Sequence, residues 1–441
     1  MNVLLSEHPI GLQKIAVQLL ITIFVTVIFL GEGLCFWGKT ESAVVTAPIY
    51  GTDLQIQNEN GYKSSVKEVR MKLWKISLAR RYGNVYKHFV KEGVVHMKMT
   101  KYLGGNPIRL NIIEINPSVN PDIKITPLMA GEKLAKKSTV VSMSRRNSAF
   151  AAINGSYFKP QTGVPLGILM IDKKILTGPI YDRVALGITD NGFKMERVAL
   201  NAKLNYLGRE LKVNNINQPR TLCTDVLIYT PEWGNTSPAT PKYGIQIAVQ
   251  NGKIVEKSVS PLAIPTNGFV ISAPKSKIGD FLAEENAKTK ILNKISSPQI
   301  TLDVKTNPDW DDVNHIIGGG PFLVKDGNVY VDYIEEKFKP IAGRNPRTAI
   351  GFTKEGNFIM VTIDGREQKS VGAGLFELAK VMKSFECQYA MNLDGGGSST
   401  MQVNGQIVNT PSVKGGIAVS NSLALVEVPS VAETVIASAE K

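Results

Sequence analysis

The chain has 441 residues, 43% hydrophobic and 20% charged, a balance that supports one large folded domain or two medium ones and excludes wholesale disorder. Three cysteines, Cys35, Cys223 and Cys387, give no disulfide framework and no Cys-based zinc site, and the four histidines, His8, His88, His96 and His315, are too scattered for a helical metal motif. The net charge of +13 is uneven: residues 63–101 hold eleven Lys or Arg against Glu68 and Glu92, so 11 − 2 gives +9 in that stretch.

In chain order, residues 15–30 are almost wholly apolar, with Lys14 ahead and Glu32 behind. The run reads as an export signal or a membrane anchor. No Ala-x-Ala site follows at the usual distance, so an uncleaved signal-anchor is expected, with the bulk of the chain outside the cytoplasm, at the periplasm or cell surface; cleavage would make the protein secreted. Residues 1–37 are assigned to this segment. Residues 38–93 read as a linker with a basic amphipathic helix, in which Val66, Val69, Leu73 and Ile76 form the apolar stripe and Lys67, Arg70, Lys72 and Lys75 surround it. Such a helix is either a solvated face or a contact for membrane phosphates or an anionic polymer.

From residue 94 the texture changes to short apolar runs separated by Gly, Asn, Pro and Asp. Strands are expected at 110–115, 167–171, 244–249, 269–272, 322–324, 349–352, 358–363 and 389–393. Helices are fewer: 374–385, with Leu375, Leu378, Ala379, Met382 and Phe385 on one face, and a weaker candidate at 281–291. Strands and helices do not alternate steadily, so the fold class is α+β: β-rich mixed sheets with few helices, in one large domain over 94–428, followed by a tail at 429–441.

The most informative stretch is 392–401, Asn-Leu-Asp-Gly-Gly-Gly-Ser-Ser-Thr-Met. A strand delivers Asp394 to its tip and passes into Gly395, Gly396 and Gly397, which can take positive φ and present bare N–H groups, while Ser398 and Ser399 add hydroxyls. That is an anion cradle beside a carboxylate. It is no P-loop, since Ser398 stands where a P-loop has Lys, and Asn404-Gly405 signals a hairpin downstream rather than a helix. Other polar clusters stand at strand ends: 154–157, 318–321, 344–348 and 364–366. If these tips converge, the pocket holds Asp394, Asp364 and up to three arginines. Paired carboxylates cut glycosidic bonds, and arginine forks match phosphate oxygens.

The ordered set Ile-Asn-Gly-Ser-Tyr-Phe (153–158), Gly-Gly-Gly-Pro-Phe-Leu-Val-Lys-Asp-Gly (318–327), Arg-Thr-Ala-Ile-Gly (347–351), Asp-Gly-Arg (364–366) and the 392–401 stretch resembles the phosphodiester glycosidase family. The resemblance covers about 94–428 and its bacterial envelope branch. It departs at Ser156, where the family usually has glycine, and at Tyr157, where it has Phe. The resemblance implies a hydrolase that releases a sugar and a phosphate monoester from a sugar-1-phosphodiester or related anionic envelope glycan, such as an exopolysaccharide. Two alternatives stand beside it: a non-catalytic binder of anionic glycans, and a glycosidase or transglycosylase acting on uncharged polysaccharide.

Within that reading Asp394 is the nucleophile or base, Asp364 the second carboxylate and Asn392 its support. Asn154, Arg347, Arg366, Arg344 and the cradle Gly395, Gly396, Gly397, Ser398 and Ser399 bind substrate. No cofactor and no nucleic-acid partner is expected, and no metal set is readable, although Asp, Asn and backbone carbonyls are compatible with a hard cation such as calcium. The expected partners are the carbohydrate substrate and, through the N-terminal segment, a membrane.

Overall fold

The computed structural model describes residues 44–46, 55–57, 63–283 and 298–428. The apolar run at 15–30 and the tail at 429–441 lie outside the described residues. Among the described residues no helix is long and apolar enough to cross a membrane. The chain divides into two units, 1–77 and 78–441.

The first unit contains a three-stranded antiparallel sheet, Val44–Thr46, Gln55–Gln57 and Lys63–Ser65, where the sequence reads as linker. It also contains most of the helix Val66–Tyr82, which runs on into the second unit. The helix starts sharply because Ser65 and Glu68 cap one another: the Ser65 N–H donates to Glu68 Oε2 at 3.0 Å and the Glu68 N–H to Ser65 Oγ at 3.2 Å. Its buried stripe differs from the expected one. Leu73 and Ile76 are exposed, whereas Trp74, Leu78 and Tyr82 are buried, because four-residue spacing of large aromatic and apolar groups outweighs the smaller aliphatic positions.

The second unit is α+β, as expected, and rich in strands. An eight-stranded sheet runs in the order Asn328–Val329, Phe322–Lys325, Cys387–Asn392, Arg347–Thr353, Phe358–Ile363, Asn106–Ile115, Val94–Leu103, Tyr86–Lys91. The strand Tyr86–Lys91, ahead of the expected start of the domain, is paired to Val94–Leu103 within this sheet. A five-stranded sheet, ordered Gln406–Ile407, Met401–Val403, Ala151–Asn154, Asn421–Glu427, Ile123–Met129, shares one apolar core with it. That core includes Ile113, Phe358, Met360, Ile350 and Met391 from the first sheet and Ile153, Met401 and Leu423 from the second. The run 358–363 is buried at all six positions, in keeping with a sequence that is apolar except at Thr362.

The helix Leu375–Ser384 packs on strands Phe322–Lys325 and Cys387–Asn392 through Leu375, Leu378, Ala379 and Met382. Its first turn is tied by the Gly374 N–H to Glu377 Oε2, 2.8 Å. A short helix occupies Lys275–Leu282 and Ala283 is extended; most of the helix expected at 281–291 lies outside the described residues. Residues 199–307 contribute two further sheets around a separate core with Leu204, Ile228, Ile247 and Ile271. Cys223 and Cys387 are free thiols.

Candidate active site

Strand register decides which tips meet. In the eight-stranded sheet Ala349 opposes Asn392 and Arg347 opposes Ile363, so the 344–348, 364–366 and 392–394 clusters leave the sheet at one end. In the five-stranded sheet Met401 opposes Ile153 and Ser422 opposes Asn154, which brings the end of the glycine loop, Asn154 and Asn421 to one edge. The two edges are joined by hydrogen bonds. Asn154 Nδ2 donates to the Asp394 carbonyl at 2.7 Å, while Asn154 Oδ1 accepts from Thr348 Oγ1 at 2.7 Å and from the Thr400 N–H at 3.1 Å. Thr348 also bonds Ser399 Oγ at 3.2 Å. Asn154 is fully buried and uses both ends of its amide on three different segments. It therefore fixes the backbone at Asp394 instead of holding a sugar hydroxyl.

Asp394 is only partly covered, and its carboxylate is held by the Gly395 N–H at 3.0 Å and by the Ser398 hydroxyl. Burial in a low-dielectric setting outweighs both bonds and raises its pKa from 3.8 to about 6. Of the three glycines only Gly396 takes positive φ, +62°, and 396–398 close into a single 3₁₀ turn. The Arg366 guanidinium lies over this turn: a Cβ on Gly396 would approach Nη2 to 3.1 Å. Arg366 is exposed and otherwise bonds Asn345 Oδ1 at 3.2 Å.

Asn392 turns its amide nitrogen to Tyr157 OH at 2.6 Å, to the Gly320 carbonyl at 3.1 Å and to its own neighbour, the Leu393 carbonyl, at 2.6 Å. Tyr157 OH donates to the Gly320 carbonyl at 2.9 Å. Burial first, and the nearby Asp394 charge second, push the phenol far above its ordinary range. Three buried polar atoms in these motifs have no protein partner among the described residues: Asn392 Oδ1, Ser156 Oγ and Thr400 Oγ1. Orphaned atoms of this kind are uncommon in a folded interior and collect where a ligand or solvent completes the bonding.

The other expected residues are placed differently. Arg347 is fully buried, donating Nε to the Ala373 carbonyl at 2.8 Å and Nη2 to the Ile341 carbonyl at 2.6 Å and to the Gly343 carbonyl. Most of its fork thus ties down the preceding loop, while its charge still acts on Tyr157. Arg344 pairs with Glu377 and donates to the Leu103 carbonyl at 3.2 Å, on the side of the loop that faces the helix Leu375–Ser384.

Asp364 is buried, its Oδ1 accepting from Thr410 N–H at 2.9 Å and Asn409 Nδ2 at 3.2 Å; burial raises its pKa. Neither carboxylate bonds to or perturbs the other. Asn409, bonded to Asp364, also donates to the Ser399 carbonyl at 3.1 Å.

Two residues of this neighbourhood escaped the sequence reading. Arg183 stacks its guanidinium 3.9 Å from the Phe338 ring centroid and lies 5.9 Å from that of Tyr157, with Nε donating to the Glu336 carbonyl at 3.0 Å. Its Nη atoms make no hydrogen bond among the described residues. Glu336 accepts from the Val184 N–H and the Phe322 N–H, both 3.1 Å, and braces the loop that carries Gly320; burial raises its pKa to about 8. No sequence motif marks Arg183; in the structure it directly follows two positive-φ residues, Tyr181 at +56° and Asp182 at +47°. No group of three or more metal-ligating side chains occurs among the described residues.

The two-sheet α+β scaffold thus brings together a carboxylate at a strand tip, a glycine turn under an arginine and a Tyr–Asn pair. Residues 243–426 match the family model described as phosphodiester glycosidase. It is 32% identical over 108 residues to the N-acetylglucosamine-1-phosphodiester alpha-N-acetylglucosaminidase of Mus musculus, which is 22% of this chain and 21% of the relative. The matched span is thus about a fifth of that curated relative's length.

Two solved structures share the fold. A hypothetical protein from Synechocystis is 24% identical with a TM-score of 0.69, over 77% of this chain and 63% of that one. A putative exported protein from Burkholderia pseudomallei K96243 is 22% identical with a TM-score of 0.58, over 88% of this chain and 86% of that one.

Proposed function

We propose that the protein hydrolyses the glycosidic bond of a sugar-1-phosphodiester, acting on an anionic glycan outside the cytoplasm. The observation that carries this reading is Asp394, held by Gly395 and Ser398 beside a glycine turn that lies under Arg366. In a sugar-1-phosphodiester the departing group is a phosphate monoester, whose second ionisation lies near pKa 6, so it leaves without full protonation. The demand on the protein is then a carboxylate at the anomeric carbon and cations on the phosphate.

Asp394 serves as nucleophile or as base for water. The bond between the anomeric carbon and the phosphate oxygen breaks, water supplies the hydroxyl to the sugar, and the proton leaves through Asp394 or the departing phosphate. Arg366 and the N–H groups of the glycine turn receive the phosphate, with Arg183 on the Tyr157 side as a second fork. Asn392 and Tyr157 orient the sugar ring. Asp364 stays apart from the reacting carbon and acts through Asn409 on the loop that holds Ser399.

The test is sugar release from a sugar-1-phosphodiester by the full chain, with Asp394→Asn as control. Turnover by the parent that Asp394→Asn abolishes supports the reading. Equal turnover by both proteins sinks it, as does no turnover by the parent on any of a panel of such phosphodiesters.

A further inference from the structure

A cavity of about 370 Å³ is lined among others by Lys98, Thr100, Arg109, Asn111, Thr410 and Asp364, the last of these two residues ahead of Arg366. Its size falls within the usual range for small-molecule sites, about 300–1,000 Å³. Strand register explains its chemistry. Lys98 opposes Asn111, Thr100 opposes Arg109, and Thr362 opposes Asn111 from the neighbouring strand. Side chains two apart share a face, so a polar file crosses a sheet whose same face elsewhere carries Ile113, Met360 and Phe358 in the core.

The file is not satisfied internally. Thr362 is fully buried, yet its hydroxyl has no partner among the described residues. A buried amide, a buried carboxyl and hydroxyls from Thr100 and Thr410 form a donor and acceptor set suited to a polyol. The rim is cationic: Lys98 is exposed and forms no ion pair among the described residues, and Arg109 only approaches Glu367 at 3.7 Å. The turn 364–366 presents Asp364 to this cavity and Arg366 to the glycine turn, and Asn409 bonds both Asp364 and Ser399. The two sites therefore share one wall.

We propose that this cavity is a second carbohydrate subsite, which takes an anionic sugar unit beyond the bond attacked at Asp394. The inference rests on the hydrolase reading for its place in the reaction, but the binding it requires does not depend on turnover. In the full chain carrying Asp394→Asn, calorimetric titration with glucuronic acid and with glucose reads it directly. Glucuronic acid should bind at least about tenfold more tightly than glucose, and that preference should fall at least about fivefold when Lys98→Gln and Arg109→Gln are added.

Thr100→Trp, which fills the mouth from the surface, should weaken both ligands. Arg366→Ala should leave the preference unchanged. The proposal is overturned if glucuronic acid is not preferred, if the preference survives loss of both cations, or if it vanishes with Arg366→Ala. On an active background, the Lys98 and Arg109 changes should leave turnover of a methyl sugar-1-phosphodiester within about twofold of the parent; a larger loss would assign these residues to the reaction centre and overturn the subsite.

Discussion

Asp394→Asn separates the electrostatics of the site from its chemistry. A rise of the carboxyl pKa from 3.8 to about 6 means that the folded protein disfavours its ionised form by up to about 3 kcal/mol. Because the folded value is the raised one, the associated stability is fully present below about pH 4, where Asp394 is protonated in both states. It is lost as pH rises through about 6, where the unfolded chain carries a free carboxylate and the folded one a constrained charge. Asparagine cannot ionise. The difference in unfolding free energy between Asp394→Asn and the parent should therefore move in the variant's favour with pH, by up to about 3 kcal/mol between pH 4 and pH 7, and then level off.

Urea unfolding of both proteins at half-unit intervals measures this, and other titrating groups cancel in the difference. Loss of one acceptor to Gly395 or Ser398 shifts the curve by a constant without changing its shape. Over the same window the parent's kcat/KM should climb with an apparent pKa near 6, while Asp394→Asn loses at least about a thousandfold in turnover. A stability difference that is flat with pH, or that moves against the variant as pH rises, would refute the account of why the carboxyl is poised where it is.

Four other outcomes follow from the geometry. Arg366→Ala should raise KM for a sugar-1-phosphodiester about tenfold or more, since a charged hydrogen bond is removed, and leave thermal stability nearly unchanged because the side chain is exposed; steady-state kinetics and a melting curve check both. Arg344→Ala should change kcat/KM by less than about twofold, as its surface pair with Glu377 contributes at most about 1 kcal/mol and lies away from Asp394. Asn154→Ala should destabilise the fold by about 2–4 kcal/mol in urea, leaving Thr348, the Thr400 N–H and the Asp394 carbonyl short of a partner. Arg81→Met should cost about 3–5 kcal/mol, because it removes the guanidinium paired with the fully buried Glu114 carboxylate; adding Glu114→Leu should recover most of that loss.

The strands were legible where burial is two-sided. The run 358–363 matches its observed limits because a strand covered on both faces is almost wholly apolar, here broken only by Thr362. The hairpin after the glycine loop was equally plain: Asn404 and Gly405 take φ of +50° and +80°, the pair of left-handed residues that a two-residue turn demands. The helix Lys275–Leu282 escapes the sequence reading for the opposite reason. It opens Lys-Ser-Lys, contains Gly279 and buries only Ile278 and Phe281, so its apolar periodicity is too sparse to mark a start.

In the site, sequence order located the motifs but could not say which atoms each side chain meets. Arg347 and Arg366 read alike, as arginines beside a strand end. Yet Arg347 follows Pro346 into the sheet, where three loop carbonyls take up its Nε and Nη2, whereas Arg366 sits at φ +64° on an exposed turn and is thrown over Gly396. The difference is one of backbone direction, set by a single left-handed residue, and no property of the guanidinium itself foretells it. Arg183 makes the same point from the other side: it is held over the faces of Phe338 and Tyr157, residues distant in the chain whose packing brings a cation beside the Tyr157 ring. Which carbonyls and rings have already claimed each cation thus decides which arginines keep nitrogens free to meet an anion, as the proposed reaction requires.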